Sequence, residues 1–96
     1  MVRLVIQCDP VPGKQDDLDR FLTQQKKDYW TKQKGVKGYH VFGDQLMGWP
    51  ERTVIIECDD MACLERALNS GEHRSVRQNF FSLTSRNESQ IQNEIL

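Results

Sequence analysis

Two strand-like runs joined by a breaker-rich segment constrain this chain more than any other feature. Val36-Lys37-Gly38-Tyr39-His40-Val41-Phe42 and Arg52-Thr53-Val54-Ile55-Ile56-Glu57-Cys58 are rich in β-branched and aromatic residues, and the stretch between them carries Gly43, Asp44, Gly48 and Pro50. The pattern predicts a hairpin, and a hairpin alone is not stable in water. The flanking segments must therefore supply further strands and a covering layer.

Val2 to Asp9 alternates with a period of two, placing Val2, Leu4, Ile6 and Cys8 on one face and Arg3, Val5 and Gln7 on the other. Pro10, Pro12 and Gly13 end this first strand. From Gln15 to Lys34 the period becomes helical. Leu18, Phe21, Leu22, Gln25 and Tyr29 form one stripe, with Trp30 at its edge as a core flank or a partner contact. Aspartates at the start of this segment and lysines at its end suit the helix dipole, and Gly35 is the stop. After the hairpin, Asp59 or Asp60 is expected to cap a short helix with Met61, Leu64, Ala67 and Leu68 inward. His73, Val76, Phe80 and Leu83 predict a further helix to about Thr84. The tail from Glu88 to Leu96 alternates as an edge strand, with Ile91 and Ile95 on one face.

The expected order is β-α-β-β-α-(α)-β. With right-handed crossovers this gives a ferredoxin-like α+β fold: a four-stranded antiparallel sheet in the order 4-1-3-2 with the helices on one face. A chain of 96 residues buries only about two thirds of its unfolded surface, so residues 1–96 are expected to form one domain. The uncovered sheet face carries Val5 and Ile55, which predicts a homodimer through that face.

Charge narrows the partners. Thirteen basic and fourteen acidic residues leave a net charge of −1, so no positive field exists to attract a nucleic-acid backbone or an anionic membrane. The apolar run Leu4-Val5-Ile6 is too short for a signal-peptide core or a membrane span, and a soluble cytoplasmic protein is expected. The three cysteines, Cys8, Cys58 and Cys63, form no C-x-x-C pair and have no nearby histidines, so they read as reduced packing residues without metal. Cys8 and Cys58 should sit at opposite ends of the sheet, out of reach of a disulfide. Lys37-Gly38-Tyr39 begins like an RNA-recognition signature, but His40 and Val41 stand where a small residue and a stacking aromatic belong, and the segment lies on the wrong strand. No phosphate loop, nucleophile elbow or metal triad is present.

The first strand ending in Pro10-Val11-Pro12-Gly13-Lys14, the lead Gly35-Val36-Lys37-Gly38-Tyr39, the strand Val54 to Cys58 with its capped helix, and the run Leu68 to Val76 together resemble the dimeric α+β barrel superfamily. The nearest likeness is to antibiotic-biosynthesis-monooxygenase-like proteins. The resemblance implies a homodimer whose sheets pack face to face, each subunit keeping a pocket between sheet and helices. It also implies a cofactor-independent monooxygenase acting on a small quinol-like aromatic, desolvated so that it reacts directly with dioxygen. The haem-degrading branch uses an Asn, a Trp and a His where this chain has Gln7, Ala67 or Leu68, and Arg77, so that chemistry is not expected.

His40 is the candidate general base, since imidazole accepts a proton near neutral pH; the competing reading is a strand histidine satisfied by its neighbours. Gln7, Tyr39, Trp49, Glu57, His73 and Arg77 are the candidate substrate-binding groups. Packing or helix capping competes for His73. Glu57, on the face of Ile55, needs a cationic partner, with Arg3 nearest. Trp49, at the hairpin tip, reads as a dimer contact or a lid. The rival to catalysis is a homodimeric module of the same fold that binds a ligand or only assembles. A cavity of roughly 300 Å³ or more between sheet and helices is the feature an enzyme or ligand-binding protein requires.

Overall fold

The computed structural model describes residues 1–46 and 48–96. Its elements are β1 (Val2–Pro10), α1 (Gln15–Thr23), α2 (Gln25–Thr31), β2 (Val36–Gly43), β3 (Arg52–Cys58), α3 (Met61–Asn69), α4 (Gly71–Leu83) and β4 (Thr84–Asn93). All strand pairs are antiparallel and the sheet order is β2-β3-β1-β4, the expected ferredoxin-like arrangement.

Alternation along the strands sorts the residues as the sequence predicts. Leu4, Ile6 and Cys8 on β1, and Val54, Ile56 and Cys58 on β3, are buried toward the helices. They join Leu18, Phe21 and Leu22 from α1, Tyr29 and Trp30 from α2, Cys63, Leu64 and Ala67 from α3, and Val76 and Phe80 from α4 in one core cluster. Val2 pairs with Cys58 and Cys8 with Arg52, so Cys8 and Cys58 do lie at opposite ends of the sheet. All three thiols are free and buried.

Two expectations need correction, and β2 carries an irregularity of its own. The predicted helix from Gln15 to Lys34 is two helices, because Gln24 leaves helical geometry at φ −120°, ψ −85°. That break turns the buried face by about one residue step, roughly 100°. Lys26, Tyr29 and Trp30 therefore face inward while Gln25 is exposed and accepts a hydrogen bond from Asn79 on α4 at 2.8 Å. Trp30, fully buried, is a core residue. The last strand starts at Thr84, directly out of α4, and stops at Asn93, because β1 offers paired positions from Pro10 back to Val2. Ile95 lies beyond the ladder, 95% exposed. Finally, the β2–β3 register shifts between Val36 and Gly38, leaving Lys37 as an extra residue. Val36 and Tyr39 thereby both pack on the helix side.

Local contacts hold the layers together. Of the two candidate caps for α3, Asp60 acts: its Oδ1 accepts from the Cys63 N–H at 2.9 Å. Arg52 at the start of β3 donates from Nε and Nη2 to both carboxylate oxygens of Asp19 on α1, at 2.7 and 3.0 Å. The Tyr39 hydroxyl donates to the Leu22 carbonyl at 2.6 Å, tying β2 to the end of α1.

Candidate functional site

A cavity of about 530 Å³ opens between the helical layer and the β1–β4 half of the sheet. It exceeds the size the sequence argument required. Leu4 and Ile6 of β1 form its floor, Trp30, Leu68, Phe80, Phe81 and Ile91 its apolar walls. The polar lining is Lys26, Asn69, His73, Arg77, Asn87 and Ser89, with Gln90 at the sheet edge, its side chain accepting from Gln92 on the other face.

The helices present this lining in two matched pairs. Lys26 and Trp30 stand one turn apart on α2, and His73 and Arg77 one turn apart on α4, so each pair shares a helix face. The Trp30 and His73 rings meet edge to face at 5.8 Å, and the Tyr29 ring lies 5.5 Å from His73. The Lys26 ammonium sits over the Phe80 ring, 4.8 Å from its centroid. Arg77, at the exposed mouth, lies over Phe81 at 5.4 Å.

Burial makes these groups unusual electrostatically. Loss of water pulls Lys26 down from 10.5 to about 8, opposed by the nearby Cys8. His73 is also lowered, first by burial, then by the positive charges of Lys26 and Arg77, with a hydrogen bond to the Leu68 backbone working the other way. At neutral pH His73 is therefore an uncharged imidazole able to accept a proton. Cys8, below Lys26 on the sheet, is pushed up to about 11 by burial and is an inert thiol.

The expected site residues separate into four places. His73 and Arg77 line the cavity. Tyr39 shares the helix side of the sheet but its hydroxyl is committed to Leu22, where burial raises its pKa. Gln7, His40 and Glu57 project from the opposite, uncovered face, because β1, β2 and β3 alternate. There Glu57 meets His40, Nε2 to Oε1 at 2.8 Å, and not Arg3, whose Nε donates to Gln92 at 2.7 Å. His40 also stacks on Phe42 at 6.3 Å. A Cβ at Gly38 would collide with the Glu57 carboxylate, so glycine there makes room for the pair. Trp49, expected to have no partner within the chain, packs under the Arg86 guanidinium at 3.8 Å.

Lys26, Asn69 and Asn87 were not singled out by sequence reasoning, and Trp30 was read only as a core flank or a partner contact. The signal for Lys26 was present: it stands four residues before Trp30, and becomes inward-facing once the helix breaks at Gln24. Among the described residues no cluster of three or more His, Cys, Asp or Glu side chains could hold a metal ion, and no helix is long and apolar enough to cross a membrane.

No protein-family model and no curated protein matches the sequence. Solved structures do match it across nearly the whole chain. Rv0793 from Mycobacterium tuberculosis superposes with a TM-score of 0.80 at 14% identity, covering 98% of this chain and 94% of that one. A crystal structure described as an antibiotic biosynthesis monooxygenase gives 0.76 at 16% identity, with 100% of both chains covered. SnoaB, a cofactor-independent oxygenase from Streptomyces nogalater in mutant form, gives 0.79 at 13% identity, covering 99% of this chain and 93% of that one. The fold is that of antibiotic-biosynthesis-monooxygenase-like proteins, and at these identities the likeness is one of fold.

Proposed function

We propose that this protein binds a small quinol-like aromatic in the cavity between α2, α4 and the β1–β4 strands and oxygenates it with dioxygen, without a bound cofactor, as a homodimer. The observation that carries this reading is the cavity of about 530 Å³, in which apolar and aromatic walls meet about as many polar residues. The shared fold with SnoaB, itself described as a cofactor-independent oxygenase, supports the reaction class.

In this reading the neutral His73 imidazole takes a proton from the bound substrate, and the apolar walls keep water from the resulting anion. The anion is the reductant and dioxygen the oxidant. One oxygen atom forms a C=O bond at the reacting ring carbon as the O–O bond breaks, and the other leaves as water with the one hydrogen that carbon carried and the proton held by His73. Arg77 at the mouth and Asn69 orient the substrate. The His40–Glu57 pair lies on the uncovered face together with Val5, Ile55 and Phe42, and belongs to the surface through which two copies associate.

Oxygen consumption with a panel of quinols, in the presence of a metal chelator, tests the chemistry. The wild type is expected to consume oxygen, and His73→Gln to lower kcat by about 10²- to 10⁴-fold, the usual contribution of a general base. His40→Ala is expected to keep the turnover of the wild type. Loss of turnover in His40→Ala with normal turnover in His73→Gln would move the base to the other face. No consumption with any quinol would leave a ligand-binding module.

A further inference from the structure

The cavity holds more buried positive character than the protein itself neutralises. Lys26 is only 3% exposed, yet neither a hydrogen bond nor an ion pair engages its ammonium among the described residues. Trp30 is fully buried, and its indole N–H is the one buried side-chain polar atom left without a partner among the described residues. Native structures seldom leave such groups unpaired, because the desolvation cost is not recovered. Both groups line the same cavity from one face of α2, and His73 and Arg77 answer from α4. No Asp or Glu is among the lining residues.

We propose that the cavity takes its aromatic ligand as an anion, with a carboxylate or phenolate oxygen paired to the Lys26 ammonium and the ring against Phe80. An anionic oxygen accepts from the ammonium and supplies the counter-charge that the cavity lining does not. Phe80, already beneath the ammonium at 4.8 Å, supplies the flat apolar surface for the ring. Arg77 at the exposed mouth draws the anion inward. The inference rests on the reading of the cavity as an aromatic-binding site and adds the charge of what it binds.

Titration supplies an independent handle. Lys26 loses its proton at about 8. Of the groups facing it, Cys8 on β1 stays protonated to about 11 and His73 on α4 is neutral above pH 7, while the third, Arg77 on α4, carries a guanidinium. Affinity for an anion should therefore be constant up to the point where Lys26 deprotonates and fall above it, whereas affinity for a neutral analogue should not respond.

The test uses 1-naphthoate and its neutral isostere 1-naphthamide, followed by the Trp30 indole N–H resonance in a Trp49→Phe background that leaves one indole. Naphthoate is expected to shift that resonance and to bind at least about 30-fold tighter than the amide, the least that removal of one partner of a buried charge pair typically costs. Lys26→Met, which keeps the aliphatic stem over Phe80, should abolish this preference while the amide still binds. Raising the pH from 7 to 9.5 should weaken naphthoate alone. Equal binding of both probes, unchanged by Lys26→Met, would overturn the anionic assignment and leave the aromatic-binding reading standing. If neither probe moves the resonance at millimolar concentration, the aromatic-binding reading falls and this inference with it.

Discussion

At the scale of single residues, Lys26 is where stability and function pull in opposite directions. A lysine whose proton affinity drops from 10.5 to about 8 on folding carries a penalty of roughly 3 kcal/mol at pH 7, at about 1.4 kcal/mol per unit. The sign follows from proton counting: the unfolded chain binds the proton more tightly, so the penalty is full below pH 8 and fades between about 8 and 10.5. Cys8 and Cys58, raised by burial to about 11 and about 12, act the other way above pH 9, since the unfolded thiols ionise first. Lys26→Met is accordingly expected to stabilise the protein at pH 7 by about 1–3 kcal/mol, with the gain shrinking toward pH 10. Urea unfolding of both proteins at pH 7 and 9.5 measures it. A loss of stability at pH 7 would mean that the ammonium is paired within the fold. In the anion-binding reading, a sequence that keeps this costly buried lysine trades stability for a site.

At the scale of elements, the junctions determine what the helices can present. The break at Gln24 sets the rotation of α2, and Gly35 sets how α2 turns into β2. Gly35 has φ +91°, in the left-handed region that side chains avoid, and a Cβ there would come within 2.9 Å of the Cys63 Sγ on α3. Its carbonyl accepts from the Asp59 N–H at 2.9 Å, so the same turn fixes the start of α3. Gly35→Ala should therefore cost about 1–3 kcal/mol, from backbone strain and the collision together. Adding Cys63→Ala should recover only part of that loss, since it removes the sulfur and leaves the strained φ. Thermal unfolding of the single and double variants checks both statements, and full recovery would show that strain at φ contributes nothing.

For the whole molecule, the sheet is covered on one side only. On the other side Val5 pairs with Ile55 at the centre, flanked by half-buried Gln7, by the His40–Glu57 pair and by Phe42, which is 55% exposed. This face is more polar than Val5 and Ile55 alone suggested: Arg3 is engaged with Gln92, and Gln90 stands beside Val5. A second copy of the chain packed across it would bury apolar area in the permanent class, above about 2,000 Å², with the polar groups as its rim. Sedimentation equilibrium at micromolar concentration is expected to give a dimer. Phe42→Asp together with Ile55→Asp should give monomers that lose the cooperative unfolding of the wild type. A stable folded monomer of the wild type would overturn the arrangement.

Periodicity along the chain was enough to determine the element types, the sheet order and which strand residues turn toward the helices. Those properties follow from local geometry: alternate strand positions and every third or fourth helical position share a face whatever they pack against. That Cys8 and Cys58 lie at opposite ends of the sheet was legible in the same way, from strand direction. The composition of the cavity was not. Its polar groups come from α2, α3, α4 and β4, the α2 and α4 pairs being separated by some forty residues of chain, and they meet only in the folded layers. The lone extra residue at Lys37 likewise put Val36 and Tyr39 on one side, against simple alternation. Breaks and bulges of this kind are decided by how layers fit at close packing, an energy shared among distant residues that no local pattern encodes.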